Sequence, residues 1–197
     1  MSGNHFIAVE IDEAARERLA TSAARLRDWQ LNARWVHPLD YHITTCFLGR
    51  LEADEARVIP HAIDDIAAGF HPGPMRLPGL GAFGGRHVPR VIYAAVADPQ
   101  EACAHLAHDL HAALDVPSTR PYLPHITLCR PQRGRPPAGR DWPDLLAAYG
   151  QALWGAVHGV AVVYCESADA GPDQPRHMVL ERWSARQAPP RAGNAGA

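Results

Sequence analysis

Short apolar runs of β type alternate with stretches of helical periodicity along the first half of the chain. The run FIAVEI at residues 6–11 predicts a strand, and Asp12 then offers a helix N-cap. Apolar side chains follow at helical spacing, at Ala15, Leu19, Ala23, Leu26 and Trp29. A second strand is predicted around residues 42–47, ended by Gly49. A second helix is predicted over 54–68, in which Pro60 should either kink the helix or mark its true start.

The second half repeats this order. A Pro- and Gly-rich stretch, 71–89, is expected to hold at most a short strand at 75–77. Strands are predicted over 90–97, 125–129, 157–165 and 177–183, with a helix over 99–114 and a polar loop over 131–143. Each half therefore contains a helix followed by a strand that begins His-Ile-Thr, which indicates internal duplication. An α+β domain with two antiparallel sheets is the expected outcome.

Composition narrows the class of protein. A chain of 197 residues with 47% hydrophobic and 20% charged residues fits one globular domain, which we place at residues 1–187. The Pro-, Gly- and Ala-rich tail, 188–197, is expected to be disordered. No apolar run is long enough for a membrane span, and we expect no secretion signal, because the residues before the first strand lack a basic segment and a long apolar run. The four cysteines are widely spaced, which argues against a zinc site or redox pair and favours a reducing cytoplasm.

The charge limits what the protein can bind. A net charge of −2 argues against broad binding to long nucleic acid, although a single nucleotide or an RNA end needs only a local patch. All 19 basic residues are Arg, so contacts to phosphate must come from guanidinium groups, His, hydroxyls or backbone N–H groups.

Two motifs carry the candidate chemistry, His42-Ile43-Thr44 and His125-Ile126-Thr127. Of the twelve histidines in the chain, only these two have Thr two residues later. Residues i and i+2 of a strand share a face, so each motif presents an imidazole and a hydroxyl together. Two facing imidazoles can supply the base and the acid that open a cyclic phosphate, while the hydroxyls hold the phosphate oxygens. This scheme requires no metal and no cofactor.

The segments HITTCFLG at 42–49 and PHITLCR at 124–130 resemble the paired motifs of the 2H phosphoesterase superfamily. The similarity is greatest to its RNA 2′,3′-cyclic phosphodiesterase branch, also called 2′-5′ RNA ligase, and extends from residue 6 to about 184. The resemblance implies a bilobal fold with pseudo-twofold symmetry, helices on the outside, and both motifs in a central cleft. It also implies hydrolysis of RNA 3′ ends or nucleoside 2′,3′-cyclic phosphates to 2′-phosphomonoesters. It favours His125 as base and His42 as acid, and we expect a monomer that does not bind membranes.

Arg130 matches the last position of the family's HxTxxR pattern and is a candidate phosphate ligand, with a structural ion pair as the alternative. Strand alternation would turn it away from His125, so a bulge or strand end must bring it inward. Thr45 stands where the family usually has an aliphatic residue, and His177 near where relatives often have Tyr. Phe47 and Leu48 are predicted core residues, and packing is favoured over base stacking for Trp35 and Tyr122.

Three other functions stay open. The same chemistry could act on ADP-ribose 1″,2″-cyclic phosphate or on a 2′-5′-linked oligonucleotide. The groove could bind RNA ends or a nucleotide without turnover. The run of His105, His108 and His111 could hold a metal, but these residues are better explained as a solvated helix surface.

Overall fold

The structure is a computed structural model that describes residues 3–85, 89–118, 120–132, 141–171 and 174–185. Ten strands are described: β1 Asn4–Ile11, β2 Ala33–Trp35, β3 His42–Arg50, β4 Met75–Arg76, β5 Leu80–Gly84, β6 Pro89–Ala95, β7 His125–Pro131, β8 Ala156–Val157, β9 Gly159–Ser167 and β10 His177–Ser184. Four α-helices are described: α1 Glu13–Arg27, α2 Ala53–Ala68, α3 Ala102–Ala113 and α4 Trp142–Tyr149. None of these helices is both long and apolar enough to cross a membrane.

An eight-stranded sheet organises the molecule, and its two halves meet at β3 and β7. The strand order is β10-β9-β1-β3-β7-β6-β5, with β2 added beside β7. β4 and β8 form a separate two-stranded sheet. All of these pairings are antiparallel, so the predicted α+β fold with two antiparallel sheets is confirmed.

Local sequence explains how the first helix starts and which side of the sheet it covers. Asp12 caps α1 by accepting a hydrogen bond from the Ala15 backbone N–H at 2.8 Å. Of the predicted apolar stripe, Ala15, Leu19, Ala23 and Leu26 are buried, whereas Trp29 lies beyond the helix end and packs against the main core while only partly buried. Alternate residues of β1, such as Ile7 and Val9, enter that same core. Phe6 and Ala8 therefore face the opposite side, where they join a smaller apolar cluster with β9.

The sequence patterns do not predict β2, β5 or α4. β2 is only three residues long and depends on its pairing with β7. β5 lies within the stretch expected to hold at most a short strand, and it pairs with β6 from Leu80 to Gly84. α4 begins at the end of the predicted loop, where Asp141 caps it and Pro143 lies in the first turn, a position that proline tolerates.

Pro60 lies inside α2, so the prediction that it could mark the start of this helix is wrong. Proline cannot donate to the carbonyl of Ala56, and the Tyr164 hydroxyl lies 3.4 Å from that oxygen. The predicted tail at 188–197 and residues 133–140 of the predicted loop lie outside the described residues.

Candidate active site

The two His-Ile-Thr motifs project from one face of the large sheet. Ile43 pairs with Ile126 in antiparallel register, and both side chains are fully buried in the main core. Residues that flank such a pair point to the opposite face. His42 and Thr44 therefore share a face with His125 and Thr127, as the sequence predicted. Continuing the register sets His42 against Thr127 and Thr44 against His125, so each imidazole lies across from the other strand's hydroxyl.

Matching backbone bonds orient the two imidazoles. His42 Nδ1 lies 2.7 Å from the carbonyl oxygen of Asp40, and His125 Nδ1 lies 2.7 Å from that of Leu123. A carbonyl can only accept, so each Nδ1 carries a proton and each Nε2 is left to exchange one. Thr44 Oγ1 lies 3.0 Å from His42 Nε2 and donates to it when that imidazole is neutral.

The surroundings of His42 disfavour its charged form. Its ring stacks on Phe6 at 4.9 Å between centroids and meets His177 edge-to-face, also at 4.9 Å. Burial lowers the pKa of His42 to about 3, and the neighbouring charges of His177 and His125 act in the same direction. The Asp40 carbonyl opposes this shift by stabilising the protonated ring.

Aromatic rings also enclose His125. Phe83 contacts it edge-to-face at 4.9 Å, and Tyr93 lies 5.1 Å away. Tyr93 reaches this position because Gly81 has no side chain, since a Cβ there would stand 2.4 Å from the Tyr93 ring. Burial lowers the pKa of His125, the Leu123 carbonyl raises it, and the charge of Arg130 lowers it further.

A bulge turns Arg130 toward the cleft. Ile92 pairs with Cys129 but Tyr93 pairs with Thr127, so Leu128 is the extra residue in β7. The bulge restores Cys129 to the core face and places Arg130 on the face of His125. Thr45 is the corresponding extra residue in β3, where its buried hydroxyl donates to the Ile7 carbonyl at 3.0 Å. The repeated bulge supports the predicted pseudo-twofold relationship of the two motifs.

Asp40 is a site residue that the sequence did not reveal. It is 4% exposed, and its carboxylate accepts the backbone N–H groups of Arg176 at 2.8 Å and His177 at 3.1 Å. His177 Nδ1 also lies 3.5 Å from this carboxylate. Burial lowers the pKa of His177, and Asp40 opposes that shift. The only sequence signal for Asp40 is its position two residues before the histidine.

The prediction that Phe47 belongs to the core is wrong, since its side chain is 58% exposed and lines the cleft. The bulge at Thr45 reverses which residues of β3 face the core, so Phe47 points to the cleft. Leu48 packs against the core, as predicted. Tyr122 also packs there, and its hydroxyl donates to the Thr44 carbonyl at 3.0 Å. Trp35 packs against the same core and lies beneath the Arg27 guanidinium.

On α3, His105 and His108 are exposed, and His111 Nδ1 bonds to the Val116 carbonyl at 2.8 Å. In the described part of the chain, no three His, Cys, Asp or Glu side chains are placed to hold a metal ion.

The cleft has a volume of about 1450 Å³ and is lined by His42, Thr44, Thr127, Arg130 and His177 together with residues from β1, β2 and the end of α1. That volume is ample for a nucleotide. His125 is not among the lining residues, but it lies on the same face of the sheet as His42. Imidazoles, hydroxyls and a guanidinium on one face can bind a phosphate and move protons on either side of it.

The fold and the paired motifs define a phosphoesterase of the bilobal α+β class. The chain belongs to the LigT-like phosphoesterase family, whose members are also called 2H phosphoesterases, and residues 9–93 match the family description "LigT like Phosphoesterase".

Two curated relatives are named RNA 2′,3′-cyclic phosphodiesterase. The one from Geobacillus stearothermophilus is 31% identical over 144 residues, which are 68% of this chain but only 44% of that longer protein. The one from Bacillus subtilis is 31% identical over 134 residues, which are 66% of this chain and 73% of the relative. The crystal structure of TT0787 from Thermus thermophilus superposes with a TM-score of 0.73 at 26% identity, covering 93% of this chain and 98% of that one.

Proposed function

We propose that the protein hydrolyses the 2′,3′-cyclic phosphate of RNA 3′ ends or nucleosides to a 2′-phosphomonoester, without a metal, through His42 and His125. The observation that carries this proposal is the Ile43–Ile126 pair, because residues that flank it on both strands, the two imidazoles and the two Thr hydroxyls, share one face of the sheet. The names of the relatives from Geobacillus stearothermophilus and Bacillus subtilis support the same substrate class.

Hydrolysis of the cyclic phosphate needs one base and one acid, and two imidazoles can supply both. Water attacks phosphorus while one neutral imidazole takes its proton at Nε2, and the bond from phosphorus to O3′ breaks. The other imidazole, protonated at Nε2, gives its proton to O3′, so the products are a 2′-phosphate and a 3′-hydroxyl. The Nδ1 bonds to the Asp40 and Leu123 carbonyls support this scheme, because they fix the tautomer and leave Nε2 of each ring to exchange the proton.

Thr44, Thr127 and Arg130 hold the non-bridging oxygens in this scheme. Hydroxyl donors and a guanidinium stabilise the charge that grows on these oxygens as water attacks. The bound phosphate also raises the pKa of both imidazoles, because its negative charge favours their protonated forms. The family resemblance favours His125 as the base and His42 as the acid. For that assignment His42 must be protonated, so bound phosphate would have to raise its pKa by a large amount. The low pKa of free His42 favours the reverse assignment.

We also propose that the protein works as a cytoplasmic monomer. All four cysteines are buried free thiols, which suits a reducing compartment. Size-exclusion chromatography with light scattering would contradict the monomer if the mass exceeded that of one 21.5 kDa chain.

The decisive experiment is to incubate the purified protein with adenosine 2′,3′-cyclic phosphate and EDTA, and to separate the two possible products by chromatography. The expected product is adenosine 2′-phosphate at an undiminished rate. Formation of the 3′-phosphate, or loss of activity in EDTA with recovery on adding a divalent ion, would overturn the proposal. A parallel panel with ADP-ribose 1″,2″-cyclic phosphate and a 2′-5′-linked dinucleotide tests the alternative substrates.

A further inference from the structure

Three arginines belong to the side of the cleft formed by β7, β2 and the end of α1. Arg34 of β2 pairs directly with Arg130 of β7, so the two side chains leave the sheet on the same face. Arg27 ends α1 and stacks over the Trp35 ring, with 5.3 Å between its guanidinium carbon and the ring centroid, so it stands on the other face of β2 from Arg34. All three arginines line the cleft.

Arg34 and Arg130 are close enough for their charges to interact, and the described part of the chain gives neither of them an acidic partner. Burial lowers the pKa of Arg130, and the charge of Arg34 lowers it further. In the described ranges, neither Arg34 nor Arg130 nor Arg27 forms an ion pair with a carboxylate. Arg182, by contrast, bonds to Glu10 at 2.8 Å. Adjacent guanidinium groups without counter-charges repel each other, and a bound anion removes that repulsion.

The opposite side of the cleft has a different charge. Asp40, Glu166 and Asp169 line it together with Arg50, and the guanidinium of Arg176 on that side is engaged by the Ala170 carbonyl at 2.8 Å, so carboxylates outnumber the cations there. A substrate with a second phosphate is therefore attracted toward β2 and repelled from the carboxylates. Arg34 stands one strand away from Arg130, and neighbouring strands lie about 5 Å apart, a distance that one nucleoside can bridge.

We propose that Arg34, beside Arg130, forms a second phosphate subsite, which binds the phosphate on the 5′ side of the nucleoside that carries the cyclic phosphate. This inference rests on the proposed function of the His42–His125 centre. The ligand is a 5′ phosphate group, which can come from a mononucleotide or from the preceding phosphodiester of an RNA chain. Arg34 thereby sets the direction of the RNA, with its 5′ body leaving across β2.

The test compares three substrates: adenosine 2′,3′-cyclic phosphate, the same compound with a 5′-phosphate, and the dinucleotide ApA with a 2′,3′-cyclic phosphate. We expect kcat/KM to be about 10-fold or more higher for the two substrates with a 5′ phosphate. Arg34→Gln should remove most of that advantage, and Arg34→Lys should keep part of it. If kcat/KM rises only for the dinucleotide, the ligand is the RNA phosphodiester. If it rises equally for both substrates with a 5′ phosphate, a terminal 5′-phosphate suffices.

Arg50→Gln is the matched control, because Arg50 lines the same cleft on the other half of the sheet and should leave the preference ratio unchanged. Equal rates for all three substrates, or an equal loss on all three in Arg34→Gln, would overturn the subsite. Inactivity on all three substrates would instead refute the proposed function. In that case the subsite is tested by binding, with calorimetry measuring the affinities of adenosine 2′,5′-bisphosphate and adenosine 2′-phosphate. The subsite is refuted if the bisphosphate does not bind more tightly, or if Arg34→Gln does not reduce this difference in affinity.

Discussion

Ile43 and Ile126 are partners in antiparallel register at the junction between the two halves of the large sheet. Each is the middle residue of a His-Ile-Thr motif, and each is fully buried. The core that they fill thus lies directly behind the candidate active site. Packing at this pair supports the two strand segments that carry His42 and His125.

Shortening the Ile43 side chain should therefore reduce the stability of the protein. We expect Ile43→Ala to lower the free energy of unfolding by about 2–5 kcal/mol, and Ile43→Val by about 0.5–1.5 kcal/mol, because each leaves a cavity in the core. Urea unfolding measures these values. Val58→Ala on the exposed side of α2 is the control and should change stability by no more than about 0.5 kcal/mol. A cost below about 0.5 kcal/mol for Ile43→Ala would contradict the role of this pair.

Removing either imidazole should abolish most turnover and leave the fold intact. We expect His42→Ala and His125→Ala each to lower kcat for adenosine 2′,3′-cyclic phosphate by about 10²–10⁴-fold. The double variant should lose little more, because the two groups act in one step. Steady-state kinetics and circular dichroism check this, with His105→Ala on the exposed face of α3 as the control. Near-normal turnover in either single variant would refute the two-histidine mechanism.

The pH dependence should reflect the lowered pKa values of the imidazoles. Catalysis needs one neutral and one protonated imidazole, and burial lowers the pKa of His42 to about 3 and that of His125 below its ordinary 6.5. In the free protein the singly protonated pair therefore dominates only below pH 6.5. We expect kcat/KM to peak on the acid side of 6.5 and to fall as the pH rises. The kcat profile should lie at higher pH, because bound phosphate raises both pKa values. A kcat/KM maximum above pH 7 would contradict these environments.

Asp40→Asn should destabilise the protein and disturb the site. The carboxylate accepts two backbone N–H groups, whereas an amide offers one oxygen and turns an NH₂ group toward the second donor. We expect a loss of about 1–3 kcal/mol in the free energy of unfolding. The pKa of His177 should fall further, because the nearby negative charge is removed. Urea unfolding and an NMR titration of His177 measure the two effects, and Asp54→Asn, at an exposed ion pair of α2, is the control. An unchanged His177 titration would contradict the assigned electrostatic contact.

Much of the fold could be predicted from local patterns. The Asp12 cap and the apolar stripe of α1 were found because capping and 3.6-residue periodicity are properties of neighbouring residues. β5 was missed because its glycines suit the strand only when Tyr93 from β6 packs across Gly81. Phe47 was misplaced because strict alternation fails after a bulge, and a bulge depends on the partner strand.

By itself, the sequence determined the chemistry available to this protein: two imidazoles, each with a hydroxyl two residues later, and guanidinium groups as its only permanent side-chain cations. It also determined that His and Thr of each motif share a face, since that follows from the two-residue repeat of a strand. Only the tertiary structure decided that the two motifs meet at Ile43 and Ile126, that a bulge brings in Arg130, and that Asp40 reaches β10. These relationships join residues far apart in the chain, and their energies come from pairing and burial that exist only once the sheet has formed.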